Sequence, residues 1–160
     1  MSHGETEKPR PLLTVIIPVF DEAETLPALV ERVSSVPIDM QIVAVDDGST
    51  DGSSGILASL AANRHLEVIV HPENRGKGAA IRTALEHARG EIVVIQDADL
   101  EYNPEEFSTL LDPLTNGSGA TVVYGSRFLG EAHQMSRWHW FGNHLVTAVF
   151  NFLYGTNLTD

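Results

Sequence analysis

Hydrophobic positions along the chain follow two alternating patterns. Short runs rich in β-branched residues predict strands, and these runs are 12–19, 41–47, 67–71, 91–97 and 120–126. The intervening segments, which have helical spacing, are roughly 24–35, 52–63, 77–89 and 104–115. The first of these helices shows the i, i+3, i+4, i+7 spacing of a buried face at Leu26, Leu29, Val30 and Val33.

This alternation predicts an α/β fold with a mostly parallel, Rossmann-like sheet. The strands are continuously apolar, which is typical of a sheet that helices cover on both faces. Ligands of such sheets bind beyond the carboxyl ends of the strands, and a polar loop follows each predicted strand. We therefore expect one domain over 12–160 after a flexible tail over 1–11, with its functional residues in those loops.

Composition and charge exclude several classes of function. The 160 residues include 22 acids against 10 bases, and the resulting net charge of −12 argues against nucleic-acid binding. There is no cysteine, so catalysis depends on oxygen or nitrogen groups. The chain contains neither a secretory signal nor a run of about 18 apolar residues that would span a membrane. The apolar, aromatic stretch over 138–154 suits either a core or a membrane interface.

Three acids follow the fourth predicted strand at alternate positions, Asp97, Asp99 and Glu101. Alternate side chains of an extended segment point the same way, and mutual repulsion makes a cation their natural partner. Oxygen ligands select a hard ion, Mg2+ or Mn2+. Helix capping by Asn103 accounts for the polar residues at 103–106 but not for the acids at 97 and 99. The pattern therefore predicts a metal site at these three acids.

The loop after the second strand, "DDGSTDG" (46–52), contains a further pair of acids. A calcium loop is excluded because its twelfth position would be Ala58 instead of a bidentate Glu. Helix capping by Ser49 or Asp51 explains the second half of the segment. At the strand end, a carboxylate of Asp46 or Asp47 is suited to accept a hydrogen bond from a nucleobase or ribose.

Two further loops contain cations. "NRGKGAAI" (74–81) is a weak dinucleotide match because Ile81 replaces the third glycine, but Arg75 and Lys77 at a helix start are plausible phosphate neighbours. Turn chemistry alone would also explain these glycines. Arg127, after the fifth strand, is either a diphosphate ligand or a solvated surface residue.

Five segments in order, "TVIIPVFDE", "VDDGSTDG", "NRGKGAA", "QDADLEY" and "YGSRF", resemble the family 2 inverting nucleotide-sugar glycosyltransferases of the GT-A fold. The chain is most similar to the branch that forms polyprenol-phosphate or dolichol-phosphate mannose and glucose. The resemblance implies a nucleotide-sugar donor, a polyprenyl-phosphate acceptor and Mg2+ or Mn2+. Because that family continues beyond the position of Asp160, the chain is expected to be truncated at its C-terminus.

The resemblance also implies roles for individual residues. Those expected to bind the nucleotide sugar are Pro18, Phe20, Glu22, Val45, Asp47, Ala98, Arg127 and Arg137, with Lys77 added from its loop. Asp97 and Asp99 match the DxD motif that holds the metal of the diphosphate, and Glu101 is the expected third ligand. Asp97, Asp99 and Arg127 are the predicted catalytic residues.

The expected reaction is an in-line transfer of a hexose from a UDP-Glc or GDP-Man type of donor. A phosphate monoester, with a second pKa of about 6, is already largely a dianion at neutral pH, whereas a hydroxyl acceptor needs a general base. The chain lacks a Gln-x-x-Arg-Trp segment, which favours the lipid phosphate and a location at the cytoplasmic face of a membrane.

The alternatives are a saccharide hydroxyl acceptor and a non-catalytic sugar-nucleotide-binding module. A sugar-1-phosphate nucleotidylyltransferase would want a glycine-rich loop after the first strand, where this chain has "PVFDE". The sequence leaves homo-oligomerisation open.

Overall fold

A computed structural model describes residues 10–63 and 66–125. The chain divides into two compact units, Met1–Phe107 and Ser108–Asp160. The elements, in chain order, are β1 (Leu13–Val19), α1 (Leu26–Ser35), β2 (Met40–Asp46), α2 (Ser53–Asn63), β3 (Leu66–Val70), α3 (Lys77–His87), β4 (Ile92–Ile95), a 3-10 turn (Pro104–Glu106) and α4 (Phe107–Thr115). None of the helices in the described ranges is long and apolar enough to cross a bilayer.

The strands in the described part of the chain form a four-stranded sheet in the order β3-β2-β1-β4. All three pairings are parallel, because a helix returns the chain to the same edge between consecutive strands. Val19 pairs with Asp46, and Asp46 pairs with Val70. The carboxyl ends of β1, β2 and β3 therefore lie side by side, which confirms the predicted α/β fold.

Helices bury the two central strands of the sheet, β1 and β2, whereas β4 exposes Val93 and Ile95 at 39% and 49%. The helix α3 packs against β1 and β2, and a cluster of fully buried side chains lies there: Ile16, Val43, Val45, Ala80 and Ala84. The predicted face of α1 is also buried at each of its apolar positions. A strand covered on both sides has no solvent-facing position, which explains the continuous apolar runs of β1 and β2.

One predicted strand end and one predicted strand differ from the structure. The strand β4 ends at Ile95, and the chain then turns, with Leu100 in the left-handed region at φ 63°. The alternate spacing of the acids predicted an extended segment over residues 97–101, but the structure has a turn there. Residues 120–125 contain no strand, and their apolar side chains Val122 and Tyr124 are 63% and 85% exposed. Alternating apolar residues form a strand only when a neighbouring strand pairs with them, so the pattern alone was insufficient.

Candidate active site

A cleft of about 290 Å³ opens at the carboxyl ends of the strands. Loops that follow all four described strands contribute to its lining, as expected for a parallel sheet. The lining residues are Pro18, Val19, Phe20, Glu22, Asp47, Asn74, Gly76, Lys77, Asp97, Ala98 and Asp99. The polar loops after β1, β2, β3 and β4 therefore meet at one site, and the fifth predicted loop, which contains Arg127, lies outside the described residues.

The acidic side of the cleft is built by the turn after β4. Asp97 and Asp99 both line the cleft, and Nζ of Lys77 lies 2.6 Å from Oδ1 of Asp97. Oδ1 of Asp99 accepts a hydrogen bond from the backbone N–H of Glu101 at 3.0 Å. Glu101 itself is exposed and lies outside the lining residues, because the chain turns between 97 and 101 instead of continuing as a strand.

The three predicted metal ligands do not converge. In the described ranges, no three Asp, Glu or His side chains come together as a metal site would require. Mg2+ and Mn2+ sites, however, are commonly completed by one or two carboxylates, substrate phosphates and water. Asp97 and Asp99, two oxygen donors in one cleft, fit such a substrate-completed site.

Asp47 lies at the floor of the cleft and is only 2% exposed. Its carboxylate accepts from Nδ1 of His71 at 2.6 Å, from the N–H of Gly76 at 2.7 Å and from the N–H of Arg75 at 3.1 Å. Burial alone would raise the pKa of Asp47. The hydrogen bonds from His71, Arg75 and Gly76, together with the electrostatic interaction with His71, outweigh burial and hold the pKa below its ordinary value.

Side chains of the β2–α2 loop fix the β1–α1 loop that contains Phe20 and Glu22. The N–H of Asp21 donates to Oγ of Ser49 at 3.0 Å, and Oδ1 of Asp21 accepts from the N–H of Thr50 at 2.7 Å. The N–H of Glu22 donates to Oγ of Ser53 at 3.0 Å. These reciprocal bonds allow Asp21 to adopt a left-handed φ of 54° and hold one wall of the cleft.

The other acid of the strand-end pair, Asp46, is completely buried. Its carboxylate accepts from the backbone N–H of Ser49 and from the hydroxyl of Ser54. Asp46 therefore stabilises its own loop from inside and does not line the cleft.

Asn103 begins the helical segment after the acidic turn, as the sequence predicts. Its Oδ1 accepts from the N–H of Glu105 at 3.2 Å and from Nη2 of Arg32 at 3.1 Å. The first bond is a helix N-cap, and the second ties this segment to α1.

Most of the residues predicted for the site are brought together. Those that line the cleft are Pro18, Phe20, Glu22, Asp47, Lys77, Asp97, Ala98 and Asp99. Val45, in contrast, is packed in the core with no exposed surface, because it lies in the middle of a doubly covered sheet. Arg127 and Arg137 lie outside the described residues.

Three lining residues were not predicted individually: Val19, Asn74 and Gly76. Asn74 and Gly76 belong to the glycine-rich loop that the sequence marks, and Gly76 adopts the positive φ of 88° that favours glycine. Val19 carried no signal, since an apolar residue at a strand end is usually core.

The family model for Glycosyl transferase family 2 matches residues 14–157. The chain belongs to this family. The predicted resemblance is thereby confirmed at the level of the family.

Solved structures of three proteins illustrate the relationship. With the mannosyltransferase PcManGT from Pyrobaculum calidifontis, solved with GDP-Man and Mn2+, the chain shares 33% identity and a TM-score of 0.61 over 68% of its length. With glucosyl-3-phosphoglycerate synthase from Mycobacterium tuberculosis, solved with UDP, it shares 28% identity and a TM-score of 0.56 over 68% of its length. S. aureus TarS 1-349 has 22% identity and a TM-score of 0.60 over 78% of this chain, which shows a shared fold alone.

The chain spans only part of these proteins. The matches cover 33% of the mannosyltransferase, 42% of the glucosyl-3-phosphoglycerate synthase and 41% of the TarS chain.

Proposed function

We propose that this chain binds a nucleoside diphosphate hexose and, with Mg2+ or Mn2+, takes part in inverting transfer of the hexose to a polyprenyl phosphate. The observation that carries the proposal is the single cleft in which Asp97, Asp99 and Lys77 lie together with Phe20 and Glu22. The cleft has the charges that a metal–diphosphate unit needs, and the exposed aromatic ring of Phe20 also lines it.

Asp97 and Asp99 would hold the metal ion, and Lys77 would contact the diphosphate. When bound, the ion stabilises the negative charge that develops on the leaving nucleoside diphosphate. Pro18, Phe20 and Glu22 would contact the nucleoside. Both UDP and GDP sugars suit this arrangement, and the related structures contain GDP-Man with Mn2+ or UDP.

The state of the cleft carboxylates supports a phosphate acceptor. Asp47 is hydrogen-bonded to His71, and the carboxylate of Glu22 accepts from the hydroxyl of Thr25 at 2.9 Å. Asp97 and Asp99 are the acids proposed to hold the metal. A phosphate dianion needs no proton removed, so none of these four acids has to act as a general base during its attack. Arg127 and Arg137 would lie near the diphosphate and the acceptor phosphate. The lipid part of such an acceptor would bring the protein to the cytoplasmic face of a membrane.

Calorimetric titration tests the donor site. UDP, GDP, UDP-Glc and GDP-Man are titrated with and without Mn2+ into the wild type, Asp97→Asn, Asp99→Asn and the control Asp39→Asn. Asp39 is an exposed acid between α1 and β2, at the opposite end of the sheet. We expect metal-dependent binding that is lost in both cleft variants and kept in the control. Binding that needs no metal and survives both cleft changes would contradict the proposal.

Transfer is tested with a radiolabelled donor and polyprenyl phosphate in detergent. Formation of a lipid-linked hexose supports the proposed acceptor. Transfer to a saccharide hydroxyl, with no lipid-linked product, would favour a glycosyltransferase that uses a saccharide acceptor. Donor binding without transfer to either acceptor would favour a sugar-nucleotide-binding module.

A further inference from the structure

His71 is a buried residue at the end of β3 that no step of the proposed transfer uses. It is 5% exposed, and its backbone N–H donates to the carbonyl of Asp46 at 2.8 Å. Its ring joins two elements: Nδ1 lies 2.6 Å from Oδ1 of Asp47, and Nε2 lies 2.9 Å from Oγ1 of Thr83 in α3. With Nδ1 protonated, the ring donates to the carboxylate and accepts from the hydroxyl, so each of its nitrogens has a partner.

The bonds of Asp47 are directed to the protein itself. Besides His71, the carboxylate accepts from the N–H of Arg75 at both oxygens and from the N–H of Gly76 at Oδ2. A carboxylate has about four acceptor positions. Three donors, Nδ1 of His71 and the N–H groups of Arg75 and Gly76, therefore use most of these positions and tie the carboxylate to the loop.

The loop whose N–H groups donate to Asp47 forms a wall of the cleft. Residues 72–78 are all exposed, yet Asn74, Gly76 and Lys77 line the cleft. The N–H of Gly76 also donates locally to Oδ1 of Asn74 at 3.0 Å. Asp47 lies outside the loop and is buried. Because its carboxylate accepts from the backbone of the loop, it holds this exposed segment in place.

We infer that His71 is a positioning residue, which through Asp47 sets the conformation of the 74–76 loop and thereby the place of Lys77 in the cleft. Asp47 also lines the cleft, so the role inferred for His71 adds to the nucleotide contact that the family resemblance implies for Asp47. The hydrogen-bonded series Thr83–His71–Asp47 is attached to regular structure at each residue: Thr83 lies in α3, and His71 and Asp47 directly follow β3 and β2. The series therefore ties the loop to the rigid sheet and helix. The effect on donor binding rests on the proposed function, whereas the anchoring of the loop does not.

Two substitutions of His71 separate its two contacts. The side-chain amide of His71→Asn can replace Nδ1 as the donor to Asp47, whereas that of His71→Gln matches the position of Nε2 and reaches Thr83. Backbone amide exchange of Arg75 and Gly76, measured by NMR without any ligand, reports the anchoring directly. We expect exchange to become faster by about tenfold or more in His71→Gln and Asp47→Asn, and to stay near the wild-type rate in His71→Asn.

Donor affinity provides the second measurement. We expect weaker binding of the sugar nucleotide, in the presence of Mn2+, in the same variants in which exchange is faster. Thr83→Val, which keeps the side-chain volume, is a milder variant in case His71→Gln fails to fold, and it should show a smaller change of the same sign in both measurements.

Two results would overturn the inference. One is unchanged exchange at Arg75 and Gly76 in Asp47→Asn, since the loop would then not depend on this carboxylate. The other is equal exchange in His71→Asn and His71→Gln. A wild type that binds no sugar nucleotide would contradict the proposed function alone, because the exchange measurement uses no donor.

Discussion

Nζ of Lys77 lies 2.6 Å from Oδ1 of Asp97, so a cation from the glycine-rich loop is paired with the first acid of the turn after β4. The two side chains are 58% and 26% exposed, which places the pair at the solvent-accessible mouth of the cleft. A divalent ion at Asp97 would compete with Lys77, whereas a diphosphate would attract Lys77. The pair therefore has opposite effects on two ligands of the proposed site.

Substitution Lys77→Met tests this opposition. We expect tighter binding of Mn2+ alone, because a nearby positive charge is removed, and weaker binding of UDP or GDP. Each change should be at most about fivefold, since an exposed ion pair contributes about 1 kcal/mol or less. Calorimetry measures both. Arg82→Met removes one exposed positive charge from the same helix and should change neither affinity; changes of equal size in this control would show that only net charge matters.

The pH dependence of stability follows from the lowered pKa of Asp47. A folded-state pKa below the ordinary value, 3.8, means that ionised Asp47 stabilises the fold. This stabilisation is fully present above that value and is lost as the pH falls through the lower pKa of the folded protein. Urea unfolding from pH 6 to pH 2 should therefore show the difference between wild type and Asp47→Asn shrinking below about pH 4. A constant difference over this range would contradict the assignment.

Gly48 allows the β2–α2 loop to approach the β3–α3 loop. It has a φ of 75°, and a Cβ there would lie 2.6 Å from the carbonyl carbon of Glu73 and 2.7 Å from the N of Asn74. Gly48→Ala should lower the free energy of unfolding by about 2–4 kcal/mol, because the added carbon meets backbone in a strained conformation. A Cβ added at Gly55, in α2, would meet no atom within 4 Å, so Gly55→Ala should raise the free energy of unfolding by about 0.5–1 kcal/mol. Denaturant unfolding measures both, and equal effects would refute the packing argument.

Thr14 provides a stability test at the other end of the sheet. Its buried hydroxyl donates to Oε1 of Gln41 at 3.0 Å and accepts from the N–H of Gly90 at 2.8 Å. Thr14→Val leaves that N–H without its partner and should cost about 1–3 kcal/mol of unfolding free energy. Donor affinity should not change, because the residue is far along β1 from the cleft. The exposed Thr109→Val is the control, expected to alter stability by less than about 0.5 kcal/mol.

Much of the fold could be predicted from the sequence because each element has a local cause. The apolar face of α1 and the four parallel strands follow from periodicity, and Asn103 is the helix cap that its side chain favours. Periodicity failed for the fifth predicted strand: its residues 120–125 have the composition of a strand, but they form none in the structure. Strand formation depends on a neighbour, and local sequence does not contain that information.

The sequence predicted which loops form the candidate site better than it predicted which side chains meet there. Chain order and the rule for parallel sheets place the acidic turn and the glycine-rich loop at one edge. The turn at Leu100 could not be predicted, because it depends on a left-handed backbone at a residue that rarely adopts it. That turn separates Glu101 from the acids that line the cleft.

The sequence by itself determined the strand–helix alternation, the edge of the sheet at which ligands bind, and the family. Those features arise from local periodicity and from motifs whose order is fixed along the chain. Only the tertiary structure decided which polar groups meet. His71 reaches Asp47 across 24 positions because β2 and β3 are adjacent strands. Lys77 reaches Asp97 across 20 positions although β3 and β4 are the outer strands of the sheet, because the loops after all four parallel strands open at the same edge. A carboxylate at a strand end can bind a ligand or hold a loop, and the hydrogen-bond donors that surround it in space determine which role it has.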